Sequence, residues 1–140
     1  MTPHASRGED GNLLVELTVI APVLFALALL IVAFGRVSEA RQEVVEAARA
    51  GAQSAAVLPN SAGAAQGAAE SAVVGVFNGS QTCAQPEITT DVSHFVPSGY
   101  VTVTVACRVN LSDLGVPAIP GSTVIRASAI APIDPYRSVT

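Results

Sequence analysis

Leu13-Leu14-Val15-Glu16-Leu17-Thr18-Val19-Ile20-Ala21-Pro22-Val23-Leu24-Phe25-Ala26-Leu27-Ala28-Leu29-Leu30-Ile31-Val32-Ala33-Phe34-Gly35 is the stretch whose reading decides the fold. From Leu17 to Phe34 no residue is charged, which gives about 27 Å of α-helix at a rise of about 1.5 Å per residue. Extended from Leu13 to Gly35, the segment is long enough to cross a bilayer core with some tilt, provided Glu16 sits near one interface. A transmembrane helix is therefore expected.

Glu16 is the one acid in that helix. A carboxylate at a bilayer centre costs roughly 2.5 to 3.5 kcal/mol on insertion scales, and less toward an edge. Two readings of it stand open. Either the side chain snorkels to the headgroups or is protonated, or it meets a cation at its own depth. No Lys or Arg lies within the segment, so a cation must come from elsewhere. A cut after Gly11 would create an amine on Asn12, four residues and one helical turn before Glu16. A neighbouring subunit could offer its own amine to the same acid.

A short polar leader ending in Gly11, four residues, Glu16 and then a long apolar helix resemble the type IV prepilin cleavage site. Pro22-Val23-Leu24 through Phe34-Gly35-Arg36, then Ala40-Arg41-Gln42 and Ala47-Ala48-Arg49-Ala50-Gly51-Ala52, are more narrowly similar to the TadE-like minor pseudopilins of the tight-adherence (Tad/Flp) pilus system. The likeness covers residues 7–57 and is only general beyond. Leu17 departs from it, because many members have an aromatic after the Glu, and so does the acidic pair Glu9-Asp10 where basic residues are common. The resemblance implies processing between Gly11 and Asn12 by a prepilin peptidase, a membrane enzyme that cuts after the Gly. It also implies Glu16 as an assembly residue, and as partners other pilin or pseudopilin subunits and an inner-membrane assembly platform. Pro22 fits the family, whose helices commonly carry a proline in this region. Chemically, Pro22 removes a hydrogen bond to the carbonyl of Thr18, so a bend is expected over residues 18–22, where the Thr18 hydroxyl offers local compensation.

Composition bounds the rest. Of 140 residues half are hydrophobic and 13% charged, with neither Lys nor Trp, enough for one membrane helix and one small domain. A net charge of −4 with few basic residues argues against a nucleic-acid partner. The apolar fraction is mostly Ala and Val, so a core outside the lipid bilayer has to be built from small side chains.

Met1 to Gly11 reads as a polar leader without regular structure, since Pro3, Gly8 and Gly11 disfavour any element; His4 reads as a solvated side chain. An ordinary secretory signal is the rival, with Ser38-Glu39-Ala40 faintly like a cleavage site. The long uncharged run, the single Arg of the leader and Glu16 weigh against it. Arg36, Arg41 and Arg49 follow the span, and a literal count of basic residues would put the C-terminal part inside. That rule weakens before a long domain, and two cysteines prefer an oxidising compartment. A single-pass protein of the cell membrane is expected, with the leader cytoplasmic and the C-terminal domain extracytoplasmic.

Past the membrane nothing stops the helix before Val57. Val37, Ala40, Val44, Ala47, Ala48, Gly51 and Ala55 fall at spacings of three and four, a narrow stripe for packing on the protein's own second helix or on another subunit. The rod from Asn12 to Val57 would be about 69 Å long. Leu58-Pro59 ends it, and Asn60 or Ser61 caps a second helix from Ala62 to Phe77 that stops at Asn78-Gly79. Gly63 and Gly67 with the alanines between them would let another backbone approach closely, although G-x-x-x-G outside a membrane span is a weak signal.

The remainder predicts strands: Glu87 to Val96, a break at Pro97-Ser98-Gly99, Tyr100 to Leu111 with alternating valines and threonines, a Pro/Gly-rich connection at Gly115 to Gly121, and Ser122 to Ile130. The fold class is α+β: a long N-terminal pilin-like helix, a short second helix and a small antiparallel three-stranded sheet. The expected divisions are a leader at 1–11, the transmembrane helix at 12–35, its extension at 36–57 and the head at 58–140. A Cys83–Cys107 disulfide would close a long loop in an exported head, the other possibility being two reduced buried thiols.

No catalytic constellation is legible. A pair of Cys83 or Cys107 with His94 has no local signature and conflicts with a disulfide. Asp91, Asp113 and Asp134 read as solvated acids, two cysteines with His94 are too few for a metal site, and no Gly-rich loop cradles a phosphate. Neither an enzyme nor a cofactor is expected. Two functions follow from the sequence: a pilin-like subunit that acts by assembly, or an anchored extracytoplasmic binding module whose helix only tethers it.

Overall fold

The computed structural model describes residues 10–57, 60–80, 82–83, 85–110 and 121–136, with side chains from Val15 onward. It has the order α1 (Asp10–Val57), α2 (Ala62–Phe77), β1 (Glu87–Asp91), β2 (Tyr100–Asn110) and β3 (Ser122–Pro132). The class is α+β. The chain divides into two compact units, one ending at Gly35 and one starting at Arg36.

The first unit is the N-terminal part of α1. The helix includes Asp10 and Gly11, so the absence of regular structure expected over Met1 to Gly11 does not hold for those two residues. Met1 to Glu9 lie outside the described residues. Pro22 is inside the helix, which continues through it.

In the second unit the C-terminal part of α1, α2 and one face of the sheet share a core. Ala40, Val44, Ala47, Ala48, Gly51 and Ala55 of the expected stripe are buried, with Ala52 and Ala56 beside them, so the stripe from Ala40 onward packs within its own chain, whereas Val37 at its start is exposed. Helix α2 starts where Ser61 Oγ accepts from the Ala64 N–H at 3.4 Å and the Ser61 carbonyl accepts from Ala65 N–H at 2.9 Å, which satisfies amides that have no partner inside the helix. It buries Ala65, Ala69, Val73 and Phe77, one residue per turn. Its end is turned by Gly79 at a φ of 87°, and Ser80 N–H donates to the Phe77 carbonyl at 2.9 Å.

The sheet is an antiparallel meander in the order β1-β2-β3. Val101, Val103, Val105, Cys107 and Val109 of the central strand face the core, opposite Ile88 on β1 and Ile125, Ala127, Ala129 and Ala131 on β3. Strand β1 stops at Asp91 and not at Val96 as its composition suggests. Asp91 Oδ1 accepts from Ser93 N–H at 2.9 Å, and Phe95 N–H then donates to the Val92 carbonyl at 3.1 Å. This side chain-to-backbone turn competes with the ladder and ends it. Strand β3 runs two residues beyond the expected Ile130, because Ala131 and Pro132 still oppose Val101 and Tyr100. The expected connection over residues 115–120 lies outside the described residues.

Candidate membrane segment and assembly site

From Val15 to Phe34 no side chain of α1 is buried: Leu17, Ile20, Val23, Leu24, Phe25, Leu27, Leu30, Ile31 and Phe34 all stand exposed around the helix. A helix apolar on all sides and uncovered by its own chain suits lipid or other apolar helices as surroundings. Among the described residues it is the one helix long and apolar enough to cross a membrane, consistent with a single-pass protein. Glu16 lies exposed six residues past Asp10, with Thr18 and Pro22 two and six residues further on. Gly11 and Asn12 belong to the same helix.

The second unit carries the remaining candidate residues. Cys83 and Cys107 are joined by a disulfide, with Cα atoms 5.7 Å apart and a sequence separation of 24. Both are buried, and the bond ties the segment before β1 to the inner face of β2. It leaves neither sulfur free for a pair with His94. The imidazole of His94 instead stacks on Tyr100, ring centroids 4.7 Å apart and planes 13° from parallel, while its Nδ1 lies 3.0 Å from Ser93 Oγ. The Asp91 carboxyl is held below its ordinary value of 3.8, chiefly by the hydrogen bond from the Ser93 backbone and then by the Ser93 side chain. Asp134 is exposed and accepts from Tyr136 N–H at 2.8 Å, and Asp113 lies outside the described residues. Glu39, Glu43 and Glu46 line an open groove of about 730 Å³ with Val76, Ser80 and Thr82.

With this geometry in hand, comparison with known families finds that residues 11–53 match the model of the family described as TadE-like protein. The N-terminal segment is TadE-like. The match begins at Gly11, contains Glu16 and Pro22, takes in the whole exposed apolar helix and ends at Gln53 in the buried part of α1. It does not reach α2, the disulfide or the sheet. Neither a curated protein nor a solved structure matches the chain.

Two features escaped the sequence. At Gly51 of the TadE-like segment an added Cβ would run into Val73 and the Ala69 carbonyl of α2, whereas Gly63 and Gly67, the pair with the recognisable spacing, face open space. The second is the turn from Asp91 to Gly99. Asp-x-Ser was a legible signal for it, but the surrounding residues looked like the continuation of a strand.

Proposed function

We propose that this chain is a membrane-anchored pilin-like subunit that acts by assembly in a tight-adherence pilus or a related secretion apparatus. The observation that carries the reading is the coincidence of the TadE-like match with a fully exposed apolar helix holding a single acid near its N-terminal end. In the proposed mechanism a prepilin peptidase cuts between Gly11 and Asn12 and removes residues 1–11 on the cytoplasmic side. The new amine of Asn12 is a cation at the depth of Glu16. An amine and a carboxylate from adjacent subunits then neutralise each other in a medium where either alone is costly. Pro22 shapes the helix for lateral packing within residues 12–35.

The part from Arg36 onward lies outside the membrane in this reading, with 36–57 as the helix extension and 58–140 as the remainder of the head. Buried cysteines joined by a disulfide favour an oxidising compartment for it. The partners are the peptidase, other pilin or pseudopilin subunits, the inner-membrane assembly platform and the bilayer itself, and the role is structural, not catalytic.

Intact mass of the protein purified from its membrane tests the proposal. A mature chain starting at Asn12 is the expected result. A chain that retains its residues through Gly11 would leave Glu16 without the proposed amine and return the protein to an anchored binding module.

A further inference from the structure

The sheet of the second unit has one face on the core and one uncovered. On the uncovered face Arg126 of β3 stands opposite Ala106 of β2, and Arg108 of β2 stands opposite Val124. The two exposed arginines are therefore diagonal neighbours, about 7 Å apart along the strands. Glu87 on β1, also opposite Ala106, is the acid beside them. On the other side of the layer α1 turns Glu39 and Glu46 outward. They lie roughly 120° and 140° round the helix from Gly51, where an added Cβ would meet Val103 of the sheet. With half-buried Glu43 they form the acid side of the open groove. Arg36 and Arg49 bracket these carboxylates and Glu87 offsets one arginine, which leaves the helix patch negative and the sheet patch positive.

The two patches also share a height. Gly51 of α1 is level with Val103, and Val109 lines the groove with Glu39 and Ala40, so β2 runs antiparallel to α1. From Val103 to Val109 the strand advances about 20 Å, and from Gly51 back to Glu39 the helix covers about 18 Å. Arg108 is thus level with Glu39, and Arg126, opposite Ala106 at the midpoint, is close to the level of Glu46. We propose that the uncovered sheet face of one copy docks on the outward flank of α1 of a second copy, Arg108 against Glu39 and Arg126 against Glu46. Every copy crosses the membrane once and in the same sense, so neighbours stand parallel with equal heights facing each other. The front of one then meets the back of the next with opposite charges at matching levels. A freely diffusing partner would not require the two patches to share a height. The contact is head-to-tail and repeats into a row. Exposed ion pairs are individually weak and screened by salt, so the contact belongs to copies already concentrated in one bilayer. It deepens the proposed assembly by naming a partner surface, rests on the membrane-anchored part of that reading, and needs neither cleavage after Gly11 nor the charge of Glu16.

The test uses the full chain in liposomes of neutral lipid, with association read as energy transfer between copies labelled at the C-terminus. Arg108→Glu/Arg126→Glu and Glu39→Arg/Glu46→Arg should each lower association on the order of tenfold, because like charges then face each other. The chain with all four substitutions exchanges the two signs and should recover to near the native level. Association of the native chain should also weaken as salt rises from about 0.01 M to about 1 M, where the Debye length shrinks from about 30 Å to about 3 Å; this readout needs no variant to fold. Retention of the Cys83–Cys107 bond and of the native melting temperature reports the fold. Folded two-site variants that associate like the native chain, a folded four-site variant that does not recover, or native association indifferent to salt overturns the proposal. Should Glu16→Ala abolish association while the head variants match the native chain, the contact lies in the membrane segments, and the assembly reading stands without this one.

Discussion

A Cβ placed on Gly51 would lie 2.8 Å from Cγ2 of Val73, 3.2 Å from Cγ1 of Val103 and 3.4 Å from the Ala69 carbonyl oxygen. Two elements, α2 and β2, therefore converge on the missing side chain of α1. Helix propensity favours Gly51→Ala by about 1 kcal/mol, but Val73 and Val103 are fully buried β-branched residues with little room to rotate. Overpacking costs about 1 to 3 kcal/mol, so Gly51→Ala is expected to destabilise the second unit and Gly51→Leu to do so more severely. Denaturant unfolding of the full chain in detergent checks this; a stability gain on Gly51→Ala would show that α2 has slack.

The Cys83–Cys107 bond spans 24 residues of sequence. In the chain-entropy picture a loop of that size is worth roughly 3 kcal/mol. The core it ties is built from Ala and Val, its largest fully buried side chains being valines and Cys107, which leaves little to compensate for the loss. Replacing both cysteines with Ser should lower the melting temperature by many degrees, and adding a thiol reductant to the native chain should do the same. A melting temperature insensitive to both would show that the core is sufficient without the staple.

Gly99 closes the β1–β2 connection. Its N–H donates to the Val96 carbonyl at 2.8 Å and its carbonyl accepts from Ile133 N–H at 2.9 Å. A Cβ there would collide with the His94 carbonyl oxygen, a backbone atom that cannot swing aside. Gly99→Ala should therefore open the turn, cost on the order of 1 to 3 kcal/mol and remove the stacking of His94 on Tyr100. The aromatic proton shifts of Tyr100 report that stacking directly, and shifts unchanged by the substitution would contradict this account of the turn.

The same turn should respond to acid. Asp91 has a carboxyl held below 3.8 in the folded chain by hydrogen bonds from Ser93. Because the folded value is the lower one, the stabilising contribution is fully present above about 3.8 and disappears as pH falls through the depressed value. A carboxyl titration followed by NMR should place the Asp91 midpoint below the ordinary 3.8, and Asp91→Asn should keep the turn while abolishing its pH response. An Asp91 midpoint at or above the ordinary value would count against the Ser93 contacts.

The helices and the central strand were legible because their side chains obey one period over many residues. Ser61, Asn78-Gly79 and the alternation of Val101, Val103 and Val105 each carry their own local cause, and α2 lies where those residues put it. The end of β1 was not legible. Val92 to Val96 has strand composition, and only the Asp91 to Ser93 hydrogen bond overrules it. Gly51 was visible as one member of a stripe, but which neighbour fills the space above a glycine depends on the packing of elements distant in sequence. For the membrane segment the situation differs, since Glu16 is conspicuous by its chemistry alone and its proposed partner belongs to another molecule.

That partner supplies the last prediction. If Glu16 works by neutralising an amine on an adjacent subunit, then its charge matters and its bulk does not. Glu16→Ala and Glu16→Gln should both insert into the membrane at native levels, because each makes the helix less costly to bury. Both should nevertheless lower incorporation into assemblies, and by similar amounts, since Gln retains the shape of the side chain without the charge. Glu16→Asp keeps the charge on a shorter stem and should fall between them and the native chain. Cross-linking yield between subunits, normalised to inserted protein, is the measurement. Should Glu16→Gln assemble as well as the native chain, the acid would be a snorkelling residue at the interface, and lateral packing would have to arise from the apolar surface of α1 alone.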